Sequence, residues 1–264
     1  MPVFEEKVVQ LSTGPVTYRI GGQGRTLLYF HDGGGFKHGL EVMETLAQTH
    51  RLYMPINPGW DGTPTHDAVD SMPKLADLMA EFVEKIIDEP GDAMGTSFGG
   101  YLSLWFAVRH PDMLDQLVAE CPAGFRRPDD PLPNDPADFR RRLFAYPERA
   151  PKDFRTPEMI SKARDAMFRY RGDTGPFDNA LLAELPTIRA RTLIVLGTRD
   201  TVIPHETAVL LKRGIPHSHF SYVYDAAHST QSDQPQRFLR IVKAFLERGQ
   251  AYIVPQAAAE TIVA

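Results

Sequence analysis

Ser97 stands between two glycines in Gly95-Thr96-Ser97-Phe98-Gly99, and a helix-compatible run follows it. A serine hydroxyl becomes an accessible nucleophile when a sharp strand-to-helix turn carries it, and flanking glycines allow the close backbone approach that such a turn needs. The turn also sets the Phe98 N–H at a helix start, where partial positive charge stabilises an oxyanion. Small-residue turns of this kind are common, so the surrounding residues decide whether the motif does chemistry. His31-Asp32-Gly33-Gly34-Gly35 closes an apolar run at 26–30, and glycines there free backbone N–H groups. Either Gly33 or Gly34 is expected to supply the second oxyanion donor.

A serine hydroxyl is a weak nucleophile and needs a base, which in turn needs an orienting acid. Of nine histidines, His228 follows the apolar run FSYVYDAA and precedes a helix, so it falls at a strand end. His217 and His219 precede that strand, at its opposite end. His50, His66 and His110 are expected in surface loops or at helix ends, and His31 is expected to brace the glycine loop. For the acid, Asp200 closes Gly197-Thr198-Arg199-Asp200 after the apolar run 192–196. An Asp after a Gly is often a turn former, but the order Ser97, Asp200, His228 runs nucleophile, acid, base. Glu120, at the end of another apolar run, is a competing acid; Asp200 is preferred because the Gly-x-x-Asp turn is intact.

These residues need strands and helices to bring them together. Polarity alternates over 4–11 and 15–20, joined through Ser12-Thr13-Gly14, a hairpin signal. Short apolar runs at 26–30, 51–56, 114–119, 192–196 and 218–224 read as strands. Apolar residues at three- and four-residue steps predict an amphipathic helix over 72–87, and further helices are expected over 98–108, 205–212 and 235–246. Such alternation implies an α/β fold with a mostly parallel sheet flanked by helices, in which ligands bind at the C-terminal ends of the strands. The alternation breaks after Pro122: eight of the 22 prolines lie between 122 and 157, with helical patterns around 136–144, 157–170 and 179–185.

The composition excludes several classes. With 29 Lys+Arg against 34 Asp+Glu, the net charge of −5 gives no electrostatic basis for nucleic-acid binding. No apolar run approaches the roughly 20 residues of a membrane span, and the N-terminus lacks the basic start and apolar stretch of a secretory signal. A single cysteine, Cys121, fits a reducing compartment, so a cytoplasmic location is expected. No His/Cys/carboxylate cluster has metal-ligand spacing, and neither metal nor organic cofactor is expected. Residues 126–171 carry an excess of positive charge that largely vanishes when the count extends to 186, which reads as a solvated helical surface. An inward-facing Arg140, Arg141 or Arg142 there would still suffice to hold a carboxylate. Phe36, Trp60, Phe125, Phe144 and Phe168, with Phe98 and Met167, are the candidate walls of an apolar pocket.

The blocks HDGGG at 31–35, PGWDGT at 58–63, GTSFGG at 95–100, RHPDML at 109–114, LIVLGTRDTVIP at 193–204 and DAAHSTQSDQPQRF at 225–238 resemble, in order, the α/β-hydrolase superfamily. Both its serine esterases and its meta-cleavage-product hydrolases are similar. The resemblance covers about residues 3–248. It implies an eight-stranded sheet whose first strand pairs antiparallel, and a helical cap inserted after strand six. Residues 1–122 and 187–248 would form the core, 123–186 the cap and 249–264 a tail. Three departures stand out: Asp32 replaces the more frequent glycine, Thr96 stands where histidine is frequent, and 89–94 is less apolar than the family's fifth strand. The expected function is a serine hydrolase that cleaves a carboxylic ester of a small or medium apolar acid through an acyl-enzyme, acting on a small molecule as a monomer or homodimer. A carbon–carbon bond hydrolase of the meta-cleavage-product type uses the same constellation. A ligand-binding protein on a hydrolase scaffold is the non-enzymatic alternative.

Overall fold

The alternating residues of 5–22 fold as the expected hairpin, β1 (Glu5–Leu11) and β2 (Gly14–Gly22), on one edge of a single eight-stranded sheet. The remaining strands are β3 (Arg25–Phe30), β4 (His50–Pro55), β5 (Gly91–Thr96), β6 (Leu114–Glu120), β7 (Arg191–Gly197) and β8 (Ser218–Val223). The helices are α1 (Leu40–Leu46), α2 (Met72–Ile86), α3 (Phe98–Arg109), α4 (Pro136–Leu143), α5 (Pro157–Arg171), α6 (Asn179–Glu184), α7 (His205–Gly214), α8 (Thr230–Asp233) and α9 (Pro235–Arg248). This computed structural model describes residues 4–36, 40–127, 129, 132–133, 135–150, 152–153, 155–249 and 252. The expected tail, 249–264, lies outside the described residues apart from Gly249 and Tyr252.

The strand order is β1-β2-β4-β3-β5-β6-β7-β8. β2 pairs antiparallel with both β1 and β4, and every other pairing is parallel, so β2 alone runs against the rest. Parallel strands buried on both faces read as continuous apolar runs, which is why β3, β6 and β7 were legible. Among the helices, α2 packs on α3 and α1 packs on α9, and α3 lies on β5 and β6. Two helices were not expected. α1 has seven residues and α8 four, both too short for a helical period to emerge.

The weakly apolar fifth strand forms at full length because its one charged residue is neutralised inside the sheet. All six residues of β5 are buried. Asp92 accepts from Arg25 Nε at 2.6 Å and Nη2 at 3.1 Å, and Gln116 Nε2 approaches both oxygens at 3.3 Å. Between β6 and β7 the chain carries α4, α5 and α6. Its base is closed by Asp178 N–H to Gly124 O at 2.7 Å and Arg126 N–H to Pro176 O at 3.1 Å. The buried Asp178 carboxylate accepts from Tyr101 Oη, Trp105 Nε1 and Leu181 N–H, which ties this segment to α3. No helix among the described residues is long and apolar enough to cross a membrane.

Arg25 is half exposed but Asp92 is fully buried, so removing the guanidinium leaves a buried carboxylate with Gln116 as its remaining side-chain donor among the described residues. Arg25→Ala is therefore expected to destabilise the fold by about 1–3 kcal/mol, read as a lowered urea midpoint; an unchanged midpoint would mean that Gln116 alone satisfies Asp92.

Candidate active site

Ser97 follows β5 directly and has φ 53°, ψ −109°, a region that side chains rarely occupy. Its neighbours hold it there. The Ser97 N–H donates to Glu120 O at 2.8 Å, and its carbonyl accepts from Tyr101 N–H and Ala123 N–H, both at 3.0 Å. The glycine spacing has a steric cause: a Cβ on Gly95 would lie 2.2 Å from Gly99 O, and one on Gly99 would lie 2.0 Å from Phe30 O. No side chain fits at either position.

His228 lies in the loop after β8 and Asp200 in the turn after β7, so both reach the same sheet edge as Ser97. His228 Nε2 is 2.9 Å from Ser97 Oγ, and Nδ1 is 3.0 Å from Asp200 Oδ2. The other Asp200 oxygen accepts from Val202 N–H at 2.7 Å and Ile203 N–H at 2.9 Å. Burial disfavours the Asp200 anion, but the His228 imidazolium and these two N–H groups more than offset it and hold its pKa below the usual carboxylate range. Burial likewise depresses His228, and the charges of Asp200, Asp32 and Glu120 raise it above the ordinary imidazole value. Glu120 is fully buried and accepts from Thr96, Thr230 and Gln231. Among the described residues it makes no hydrogen bond to His228.

The glycine loop differs from expectation at one residue. Gly34 N–H donates to Asp32 Oδ1 at 2.5 Å and is therefore committed. Asp32 Oδ1 caps the loop where a glycine would have left Gly34 free. The N–H groups of Gly33 and Phe98 have no acceptor among the described residues. Trp60 Nε1 donates to Gly33 O at 3.0 Å and fixes that peptide. His31 braces the loop as expected: Asn57 N–H donates to Nε2 at 3.0 Å, so Nδ1 carries the proton and donates to Asp32 O at 2.7 Å. Burial lowers its pKa and keeps it neutral.

A cavity of about 280 Å³ opens over Ser97. Its apolar walls come from Phe98, Tyr101, Leu132, Phe139, Leu143, Phe144, Met167, Val202 and Ile203, and Asp32, Arg126, Arg155 and Arg171 add charge. Of the seven candidate walls, Phe98, Phe144 and Met167 line the cavity and four do not. Phe36 packs edge-on to His31, Trp60 stacks on Tyr170 and lies against Phe98, and Phe125 packs edge-on to Phe177, all within the core. Phe168 is 48% exposed on the outer side of α5, beneath the Arg171 guanidinium. Arg140, Arg141 and Arg142 do not line the cavity. They reach Pro147 O, Asp138 and Thr201 O respectively. Two histidines expected at the surface are buried: His66 bridges Thr13 Oγ1 and Pro15 O, and His50 bonds Thr49 Oγ1.

The segment after α4 also touches the histidine loop. Ser229 N–H donates to Leu143 O at 2.8 Å, and Asp233 Oδ2 accepts both Ala145 N–H at 2.9 Å and Ala227 N–H at 2.8 Å. Cys121, Asp200 and His228 offer three potential metal-ligating atoms within 4.8 Å of one another, but both Asp200 oxygens and the His228 Nδ1 are committed to the hydrogen bonds above.

Comparison with known proteins gives the same architecture. A pimeloyl-[acyl-carrier protein] methyl ester esterase from Aeromonas salmonicida (strain A449) is 27% identical over 256 residues, covering 85% of this chain and 96% of that protein. A 2-hydroxymuconate semialdehyde hydrolase from Pseudomonas putida is 27% identical over 235 residues, 78% of this chain and 80% of that protein. The crystal structure of a serine hydrolase involved in carbazole degradation (CarC enzyme) superposes with a TM-score of 0.80 at 22% identity, covering 93% of this chain and 99% of that one. Hydrolysis is what these names share. The model of the alpha/beta hydrolase family matches residues 27–241, and the chain belongs to that family.

Proposed function

We propose that this hydrolase cleaves a carboxylic ester of a small or medium apolar acid through an acyl-enzyme on Ser97. The observation that carries the reading is the unbroken relay from Ser97 Oγ to His228 Nε2 at 2.9 Å and from His228 Nδ1 to Asp200 at 3.0 Å. In this scheme Ser97 Oγ attacks the carbonyl carbon while His228 Nε2 takes its proton, and Asp200 holds the ring and stabilises the imidazolium. The tetrahedral oxygen is stabilised by the Phe98 and Gly33 N–H groups. The alcohol leaves with the proton from His228, which then deprotonates a water that attacks the acyl carbon and frees Ser97. Residues 123–186 act as the cap, since the cavity walls Leu132, Phe139, Leu143, Phe144 and Met167 all come from it.

A second reading is favoured by one feature. Arg126, Arg155 and Arg171 all border the cavity, and a guanidinium binds a carboxylate well, which suits a carbon–carbon bond hydrolase acting on a vinylogous 1,5-diketone acid. Side-by-side kcat/KM for p-nitrophenyl butyrate and such a diketone acid ranks the two readings. Preferential turnover of the ester is expected, and preference for the diketone acid reverses the order. A ligand-binding protein without turnover would leave Ser97 unlabelled by a fluorophosphonate, whereas stoichiometric labelling at Ser97 is expected.

Two further outcomes follow from the relay. Attack requires neutral His228, whose pKa is raised; kcat/KM is therefore expected to rise with pH through a limb centred above the ordinary imidazole value of about 6.5. In Asp200→Asn the stabilising anion is lost while burial still opposes the imidazolium, so the limb moves to lower pH and kcat falls by roughly 10⁴-fold. Retention of most ester turnover in Asp200→Asn removes Asp200 as the acid.

A further inference from the structure

Glu120 has no place in the relay, yet it is fully buried at the C-terminal end of β6, between the two peptides that carry nucleophile and base. Its backbone faces the first. The Glu120 carbonyl accepts Ser97 N–H at 2.8 Å, and Ala123 N–H returns to Ser97 O at 3.0 Å, so the end of β6 wraps the nucleophile turn. Its side chain faces the second. One carboxylate oxygen accepts from the hydroxyl of Thr230, and the other accepts from Gln231 Nε2 at 2.5 Å. These are the second and third residues after His228. The latter oxygen also accepts from Thr96 Oγ1 at 2.7 Å, next to Ser97, and Gln231 Nε2 reaches the same Thr96 oxygen at 3.0 Å.

The consequence is mechanical. Ser97 and His228 are 131 residues apart in the chain, and their 2.9 Å contact has to be reproduced at every turnover. A misplacement of about 1 Å in such a contact costs on the order of 10²-fold in rate. Burial raises the Glu120 pKa and the three donors oppose that shift, and a buried acceptor left without its donor is costly. The Thr230 and Gln231 bonds therefore resist movement of the histidine loop away from β5 and β6.

We infer that Glu120 is a positioning residue that clamps the His228 loop to the Ser97 turn. This rests on the relay proposed above, and Ser97→Ala separates the two ideas. Glu120→Gln, Thr230→Val and Thr230→Ser are compared with the unaltered protein for kcat and KM on p-nitrophenyl butyrate, with melting temperature as the check on folding. Glu120→Gln and Thr230→Val are expected to lose kcat by roughly 10- to 100-fold with KM within about twofold, because the pocket is untouched. Thr230→Ser, which keeps the donor, retains most of the wild-type kcat. Wild-type kcat in folded Thr230→Val and Glu120→Gln, beside an inactive Ser97→Ala, overturns the role of Glu120 alone. Full activity in Ser97→Ala instead overturns the relay reading. Should Glu120→Gln not fold, the Thr230 pair decides the question.

Discussion

A side chain held at positive φ is the constraint from which the rest of this site follows. Ser97 is held in a conformation that costs about 1–3 kcal/mol, and contacts around it offset that cost. Gly95 and Gly99 remove the side chains that would collide with Gly99 O and Phe30 O. Glu120 at the end of β6 accepts its N–H, and Tyr101 in the first turn of α3 and Ala123 just after β6 donate to its carbonyl. Those contacts in turn dictate a parallel arrangement of β3, β5 and β6, because only then do the three strand ends meet at one point. The antiparallel hairpin at the far edge is free of that requirement.

Charge is organised around the same point. Three carboxylates, on Asp200, Asp32 and Glu120, raise the pKa of His228, while burial opposes them. Each is held differently. Asp200 is held by two backbone N–H groups and the imidazole, Asp32 by the Gly34 N–H, and Glu120 by hydroxyl and amide donors from the end of β5 and from α8. A cluster of acids close to a histidine is tolerable because each has its own donors. The substitution of Asp for glycine at 32 thus changes both the loop's hydrogen bonding and the field at the base.

The sequence carried the parts of this arrangement that depend on periodicity and steric exclusion. The apolar runs of β3, β6 and β7, the amphipathic period of α2 and the glycines around Ser97 were all readable, because a buried strand or a crowded turn admits few residue types. β5 was harder, since Asp92 looks hostile to a core strand until Arg25, 67 residues away, is brought to it. The cavity was the least readable. Phe36, Trp60 and Phe125 are apolar and adjacent to the site in sequence, but whether a ring in a loop points to cavity or core depends on tertiary packing with no period to betray it. For the same reason the arginines at 140–142 could not be told from Arg126, Arg155 and Arg171. Gly33 and Gly34 are equivalent in sequence; they differ in the fold because the Gly34 N–H is captured by the residue two before it, a local side-chain contact that competes with ligand binding.

The bonds joining Leu143 and Ala145 to Ser229 and, through Asp233, to Ala227 have a bearing on how the cavity can be reached. They bolt one margin of the inserted helices to the loop that bears the imidazole. Lifting that margin would pull on the loop that carries the imidazole, so movement of the inserted helices there is coupled to the alignment of histidine and serine. The wall of the cavity is thus fastened to the residue it faces: Leu143 both lines the cavity and holds Ser229, the neighbour of His228.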